Sequence, residues 1–267
     1  MKPNNHSTFI QLIADYGTGD PAFGEVIQRL KTLNQNLQIH PTSVPAFSTI
    51  ATGFWIAQYA KGSQPENFFI YANTAPRKDE KQKRKNNAGE KLVYARLKNG
   101  CQVVAVNSGF SFSFLREEIS QLHLVKIPNQ GSQFRSRDYY PQAVNGIINQ
   151  EHDLYLGEKI DPLNSIPELP TNRLAFADGY GNMKTTIAKS EIKFKPGDKV
   201  KILLNQVKRL GTYASGNFEV KEGELAFAPG SSGKKGEEFL EIFLRGGSAW
   251  ELFSQPKIES EILFEKV

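Results

Sequence analysis

Asp15 stands where a buried strand would end. The run FIQLIA at residues 9–14 is short and mostly apolar, as suits a strand covered on both faces. The segment Asp15-Tyr-Gly-Thr-Gly-Asp20 then turns the chain, with Asp20 placed to cap a helix and Pro21 at its first position. A carboxylate at the C-terminal end of such a strand lies where open α/β sheets hold ligands. There it can accept both hydrogens of a ribose diol. Equally, Asp15 and Asp20 can be no more than a turn residue and a cap. The glycines make no dinucleotide fingerprint, because four residues separate Gly19 from Gly24 where two are required.

Other polar segments read simply at first. Asn107-Ser108-Gly109 follows a predicted strand and reads as a turn. Phe134-Arg-Ser-Arg-Asp138 reads as a charged loop in which Arg137 and Asp138 form an ion pair. Asp178-Gly-Tyr-Gly-Asn182 reads as a hairpin turn between two strands, and the glycines at 230–236 as a flexible loop. No nucleophilic triad is legible: Cys101 falls within a predicted strand, and no His has an acid partner nearby. One Cys excludes a disulfide framework and a Cys-based zinc site. His6, His40, His123 and His152 lack ligand spacing, so no metal site is expected.

The elements that must position these residues follow from periodicity. After Asp20, Phe23, Val26, Ile27, Leu30 and Leu33 recur at helical spacing, so a helix runs to about Leu33. A strand is predicted near 37–39, a helix over 47–59 and a strand over 68–72. Strands at 91–97 and 101–106 meet at Asn99-Gly100, a strong hairpin signal. A helix is predicted around 114–122, with a strand near Val125. Strands alternating with helices imply an α/β layer architecture. Three prolines in DPLNSIPELPTN mark residues 161–172 as a linker. Beyond it, short strands at 174–177, 199–204, 224–227, 239–244 and 262–265 alternate with Gly-rich turns, as in a small β barrel or sandwich. The expected organisation is an N-terminal α/β sandwich-type domain (1–160), the linker, and a C-terminal β-barrel domain (173–267).

Composition narrows the classes further. With 39% hydrophobic and 23% charged residues in 267, the chain is globular rather than disordered or fibrous. Much of the net charge of +5 lies in RKDEKQKRK at 77–85, which reads as a solvated surface loop. No aromatic residue interleaves there, so the stacking half of a single-strand nucleic-acid surface is missing. No apolar run approaches the ~20 residues needed to span a bilayer. The polar start MKPNNHSTF has no apolar leader core, and the chain reads as cytoplasmic.

Taken in order, five segments resemble one family. LIADYGTGDPAFGEVIQ at 12–28 resembles the N-terminal signature of the S-adenosylmethionine (SAM) hydroxide adenosyltransferases, or SAM hydrolases, relatives of the fluorinases and chlorinases. AVNSG at 105–109, QFRSRD at 133–138 and ADGYGNMKTTI at 177–187 resemble the family's APDNG, TFHGRD and IDxFGNxxTNI. GSSG at 230–233 with LEIFLRGGSAWEL at 240–252 resembles its final motif. The resemblance implies attack by water or halide at the ribose C5′ of SAM, no further cofactor, and a homotrimer with ligand held between subunits. It implies that Asp15 takes the ribose hydroxyls and that Asp20, Asn107, Phe134 and Ser136 line the substrate site. Tyr180 would stack on adenine, Asp178 would reach the methionine amino group, and Asn182 the base or ribose. Arg245, Gly247 and Ala249 would lie in the loop that reads the adenine edge.

The departures from the family pattern bear on catalysis. Asn73, or Thr74 in an alignment one residue along, stands where family hydrolases carry a catalytic Asp. Arg77 or Arg84 would be the following Arg, and Arg135 replaces the His of TFHGRD. Asn73 and Arg135 thus occupy the catalytic positions without an anionic base. An arginine there favours an anion, such as a halide, a phosphate or a carboxylate. Three readings follow: a SAM hydrolase or halide-using SAM halogenase, a SAM or adenosine binder without turnover, and a protein acting on a nucleotide whose phosphate meets Arg135. Membrane attachment is not expected, nor is nucleic-acid binding.

Overall fold

A computed structural model describes residues 7–78, 80–85, 89–128, 132–234 and 236–267. The leader reading therefore rests partly on residues outside those described, as do the readings of 77–85 at Asp79 and of 230–236 at Lys235. The chain divides into two compact units, Met1–Glu168 and Leu169–Val267, each with its own sheet. The division falls inside the proline-rich stretch. Among the described residues no helix is long and apolar enough to cross a membrane.

The first unit contains β1 (Phe9–Ala14), α1 (Pro21–Leu33), β2 (Gln38–Ser43), α2 (Thr49–Lys61), β3 (Phe68–Asn73), β4 (Leu92–Leu97), β5 (Gln102–Val106) and β6 (Ile119–Val125). Then come α3 (Arg135–Asp138), α4 (Tyr140–Ile148), α5 (His152–Tyr155), β7 (Leu156–Lys159) and α6 (Pro162–Ser165). Its sheet runs β2-β1-β3-β5-β4-β6-β7. The first four strands are parallel and the rest antiparallel. Five of the six residues of β1, and of β3, are buried, because helices cover both faces of a parallel sheet. Val26 and Leu30 of α1 and Val144 and Ile147 of α4 pack on Ile10, Leu12, Phe69 and Tyr71. Buried along most of its length, α2 packs on β1 and β3.

Local signals explain the well-read elements. The Asp20 side chain accepts from Ala22 N (2.8 Å) and Ser48 caps α2 through Ala51 N (3.2 Å). Gly100 takes φ 90°, the conformation the Asn-Gly turn requires. In this unit three expectations fail. The predicted helix around 114–122 is a 3-10 turn (Ser113–Glu118) followed by β6, because Ile119 to Leu124 pair with β4. The charged loop at 134–138 is the helical turn α3, closed by Tyr139 N to Arg135 O (2.9 Å). The helix read from Phe47 begins at Thr49.

The second unit holds β8 (Leu174–Ala177), β9 (Met183–Ala188), β10 (Lys199–Leu204), β11 (Val207–Tyr213), β12 (Leu225–Lys234), β13 (Glu237–Leu244), α7 (Ala249–Leu252) and β14 (Ile262–Lys266). Their order is β14-β10-β11-β12-β13-β9-β8. The edges also meet. Arg173 bridges Glu261, Leu174 N donates to Ser260 O (2.9 Å), and Ile262 N donates to Asn172 O (2.7 Å). The sheet thus curls around Leu174, Met183, Ile202, Phe227, Ile242 and Phe253. Gly230–Gly233 are not a loop: they belong to β12, which pairs with β13 across a register shift between Pro229 and Gly233.

Candidate functional site

The strand order fixes where a ligand can sit. From β1 the chain goes to β2 on one side, then returns past β1 to β3 on the other. Such a reversal opens a crevice at the C-terminal ends of the parallel strands. Asp15 follows β1 directly, and Asn73 ends β3 in register with Ala14. A cleft of about 500 Å³ opens there, lined by Asp15, Tyr16, Phe47, Asn73, Arg77, Arg84, Phe134, Arg135, Ser136 and Tyr140 among others.

The Asp15 carboxylate accepts from Phe47 N (3.0 Å). Burial raises its pKa above the ordinary 3.8, and the Phe47 hydrogen bond and Arg77 only partly oppose that. Phe47 itself has φ 64° and is 57% exposed. A bulky side chain in the left-handed region carries backbone strain, and such strain clusters at ligand sites. The peptide of Phe47 is thus aimed at Asp15 at a cost that packing of its ring does not repay.

Across the cleft, hydroxyl groups fix the neighbouring side chains. Tyr16 OH bonds Ser136 Oγ (2.5 Å) and accepts from Asn73 Nδ2 (3.1 Å). Tyr71 OH donates to the Ser136 carbonyl (3.1 Å). Burial raises the pKa of Tyr16, Tyr71 and Tyr140, so these phenols stay neutral and do not act as bases. Thr74 is 1% exposed, its hydroxyl bonds Thr52 Oγ1 (2.7 Å), and its carbonyl accepts from Ser108 Oγ (2.6 Å). Asn73, not Thr74, therefore faces the cleft. Tyr16→Phe removes the shared hydroxyl and strands the Asn73 amide and the Ser136 hydroxyl. That costs about 2 kcal/mol of stability by urea denaturation. A loss below about 0.5 kcal/mol, the range of ordinary surface changes, contradicts this network.

Arg135 enters the cleft from α3. Its guanidinium carbon lies 5.6 Å from the Tyr140 ring centroid, and its Nε and Nη1 are buried without an acceptor. Arg137 pairs as read, with Asp138 (2.7 Å) and also with Glu25 of α1 (2.8 Å). It thereby holds α3 in place. Phe134 packs edge-on against Tyr16, with ring centroids 5.8 Å apart.

Thus Asp15, Asn73, Phe134, Arg135 and Ser136 come together. Asp20 is an exposed helix cap outside the cleft. Asn107 donates to Ser165 O (3.3 Å) and does not line the cleft. Tyr16, Phe47 and Tyr140 line the cleft as well, and no sequence motif marks them as site residues. The adjacency of Tyr16 to Asp15 was the available signal; the other two depend on tertiary packing.

The remaining candidates meet in the second unit. Asp178 Oδ1 accepts from Tyr180 N (2.9 Å) and Asn182 N (3.0 Å), which makes the hairpin turn read from sequence. Its Oδ2 accepts from Asn182 Nδ2 (3.2 Å). Trp250 N donates to Gly181 O (2.9 Å), so this turn lies against the start of α7, which carries Ala249 and follows Gly247. A Cβ on Gly181, which has φ 80°, would stand 2.0 Å from Ser248 Oγ. Only glycine permits that approach. Tyr180 is 83% exposed, and Ala249 is buried. Arg245 donates to Val220 O (2.5 Å) and lies over the Phe218 ring.

No family model matches the chain. Over 119 residues it is 31% identical to the (R)-S-adenosyl-L-methionine hydrolase of Methanocaldococcus jannaschii. That match covers 42% of this chain and 43% of the relative, so less than half of the curated protein's length is spanned. Among solved structures, an uncharacterized conserved protein from Thermotoga maritima superposes with TM-score 0.72 at 20% identity, over 96% of this chain and all of that one. A conserved hypothetical protein from Thermus thermophilus gives TM-score 0.67 at 18% identity, over 97% of this chain and all of that one. The fold is shared with both.

Proposed function

We propose that this chain is a divergent member of the SAM hydrolase and fluorinase-like family, and that it processes SAM. Its reaction is attack of water at the ribose C5′, which breaks the C5′–sulfur bond and yields adenosine, methionine and a proton. The observation that carries this reading is Asp15, a carboxylate at the switch point of the parallel sheet with a strained backbone donor aimed at it. The partial likeness to a SAM hydrolase supports the same reading. Asp15 takes the two ribose hydroxyls. Asn73 and Ser136 face the reacting end, with Phe134 beside them. The exposed ring of Tyr180 stacks on adenine, with Asp178 and Asn182 fixing its turn and the 245–249 loop at the base edge. Those second-unit residues act from a neighbouring subunit of a homotrimer.

A second reading is a SAM or adenosine binder without turnover. Asn73 favours it, because a neutral amide already donating to Tyr16 OH removes no proton from water. Chloride or another halide needs no base, so a halogenase reaction suits the same feature.

Adenosine binding to the full chain by calorimetry tests the nucleoside site. The diol needs an ionised acceptor at Asp15, whose folded pKa lies above 3.8. Affinity is therefore full above that raised value and falls as pH drops through it, earlier than for an ordinary carboxylate. Asp15→Asn gives a flat profile over the same range. No adenosine binding at neutral pH overturns the reading.

A further inference from the structure

Arg135 is the least satisfied ionic group of the cleft. A guanidinium is always charged and has five N–H donors. Nε and Nη1 of Arg135 are buried without an acceptor, and no carboxylate among the described residues pairs with it. Its neighbour Arg137, by contrast, holds two carboxylates. Arg135 is also confined: a Cβ on Gly89 would lie 2.6 Å from its Nη1, and the Tyr140 ring covers it at 5.6 Å. The cation–π contact offers it no acceptor atom. Buried charged donors without acceptors are costly and call for a partner. Arg77 and Arg84 line the same cleft. Asp15 and Glu90 also line it; Asp15 accepts from Phe47 N and Glu90 Oε1 from Lys78 N (3.3 Å), Glu90 Oε2 takes no hydrogen bond, and neither carboxylate forms an ion pair with Arg135.

We propose that the cleft is an oxyanion site: its ligand presents a phosphate or carboxylate group to Arg135, so the preferred occupant is a nucleoside that carries such a group. This rests on the nucleoside reading above and adds an oxyanion group on the ligand. A guanidinium matches the planar fork of either oxyanion, which a lysine does not.

The test titrates the full chain by calorimetry with adenosine, adenosine 5′-monophosphate, S-adenosylhomocysteine and inorganic phosphate. S-adenosylhomocysteine supplies a carboxylate without the sulfonium charge. We expect at least one of the two oxyanion-bearing nucleosides to bind tenfold or more tighter than adenosine. Arg135→Gln brings that ratio to about one, and Arg135→Lys restores only part of it. Which nucleoside shows the preference tells phosphate from carboxylate. Equal affinity of all three nucleosides for the wild-type chain overturns the proposal, as does a preference that survives in Arg135→Gln. Should no nucleoside bind while phosphate binds and Arg135→Gln abolishes it, the nucleoside reading falls and the oxyanion site stands. Failure of both adenosine and phosphate, with no oxyanion-bearing nucleoside bound, overturns both. The wild-type ratio decides even if a variant does not fold.

Discussion

Asn73→Asp combined with Arg135→His raises SAM hydrolysis about 10²-fold over the wild-type chain, the lower end of what a general base contributes. Asn73 is 8% exposed and lines the cleft, so a carboxylate there is desolvated and more basic than usual. Tyr16 OH, which now accepts from the Asn73 amide, can turn to donate to that carboxylate. Arg135 must change with it. A guanidinium 4 Å from a sulfonium opposes it by about 4 kcal/mol at an effective dielectric of 20. It would also hold a new carboxylate ionised and weakly basic. Asn73→Asp alone is therefore expected to give less than the pair. The rate of adenosine release checks this. A double mutant that folds as the wild type does and gains nothing contradicts the view of positions 73 and 135 as a degenerate catalytic pair.

Asp15→Ala weakens adenosine binding at least tenfold, about 1.4 kcal/mol. Two losses add. The ligand diol loses its charged acceptor, and Phe47 N loses its partner at 3.0 Å. Without that partner, the left-handed backbone at Phe47 has one less reason to hold. Asp15→Asn separates the two effects: it keeps an acceptor for Phe47 but removes the charge. Calorimetry reads both variants. Unchanged affinity in Asp15→Ala takes Asp15 out of the site.

Much of this site's frame was legible because local chemistry agreed with the fold. FIQLIA, the Asp20-Pro21 cap and the Asn99-Gly100 turn are short-range signals, and each produced the element it announced. Legibility failed where partners distant in sequence decide. Ser113–Glu118 and Ile119–Val125 carry Leu, Arg and Glu at helix-friendly positions, yet pairing with β4 wins over propensity. The helix α4, unassigned from the sequence, carries Pro141 in its first turn and Gly146 within it. Gly146 is there for closeness, since a Cβ would lie 2.0 Å from the Tyr155 ring. In the site, Asp15 was visible from its place at a strand end. The aim of the Phe47 peptide and the orphaned nitrogens of Arg135 were not, because both depend on segments brought together only by the sheet.

The central claim is that the cleft processes SAM. Its most direct test is incubation of the pure full chain with SAM, with and without chloride, followed by chromatography and mass detection of the nucleoside products. The expected result is adenosine and methionine in equal amounts in both samples, with SAM consumed and Asp15→Ala slower. A chlorinated nucleoside in the chloride sample alone would move the reaction to halide attack at the same carbon. Intact SAM, with neither product nor SAM bound to the protein, would contradict the account.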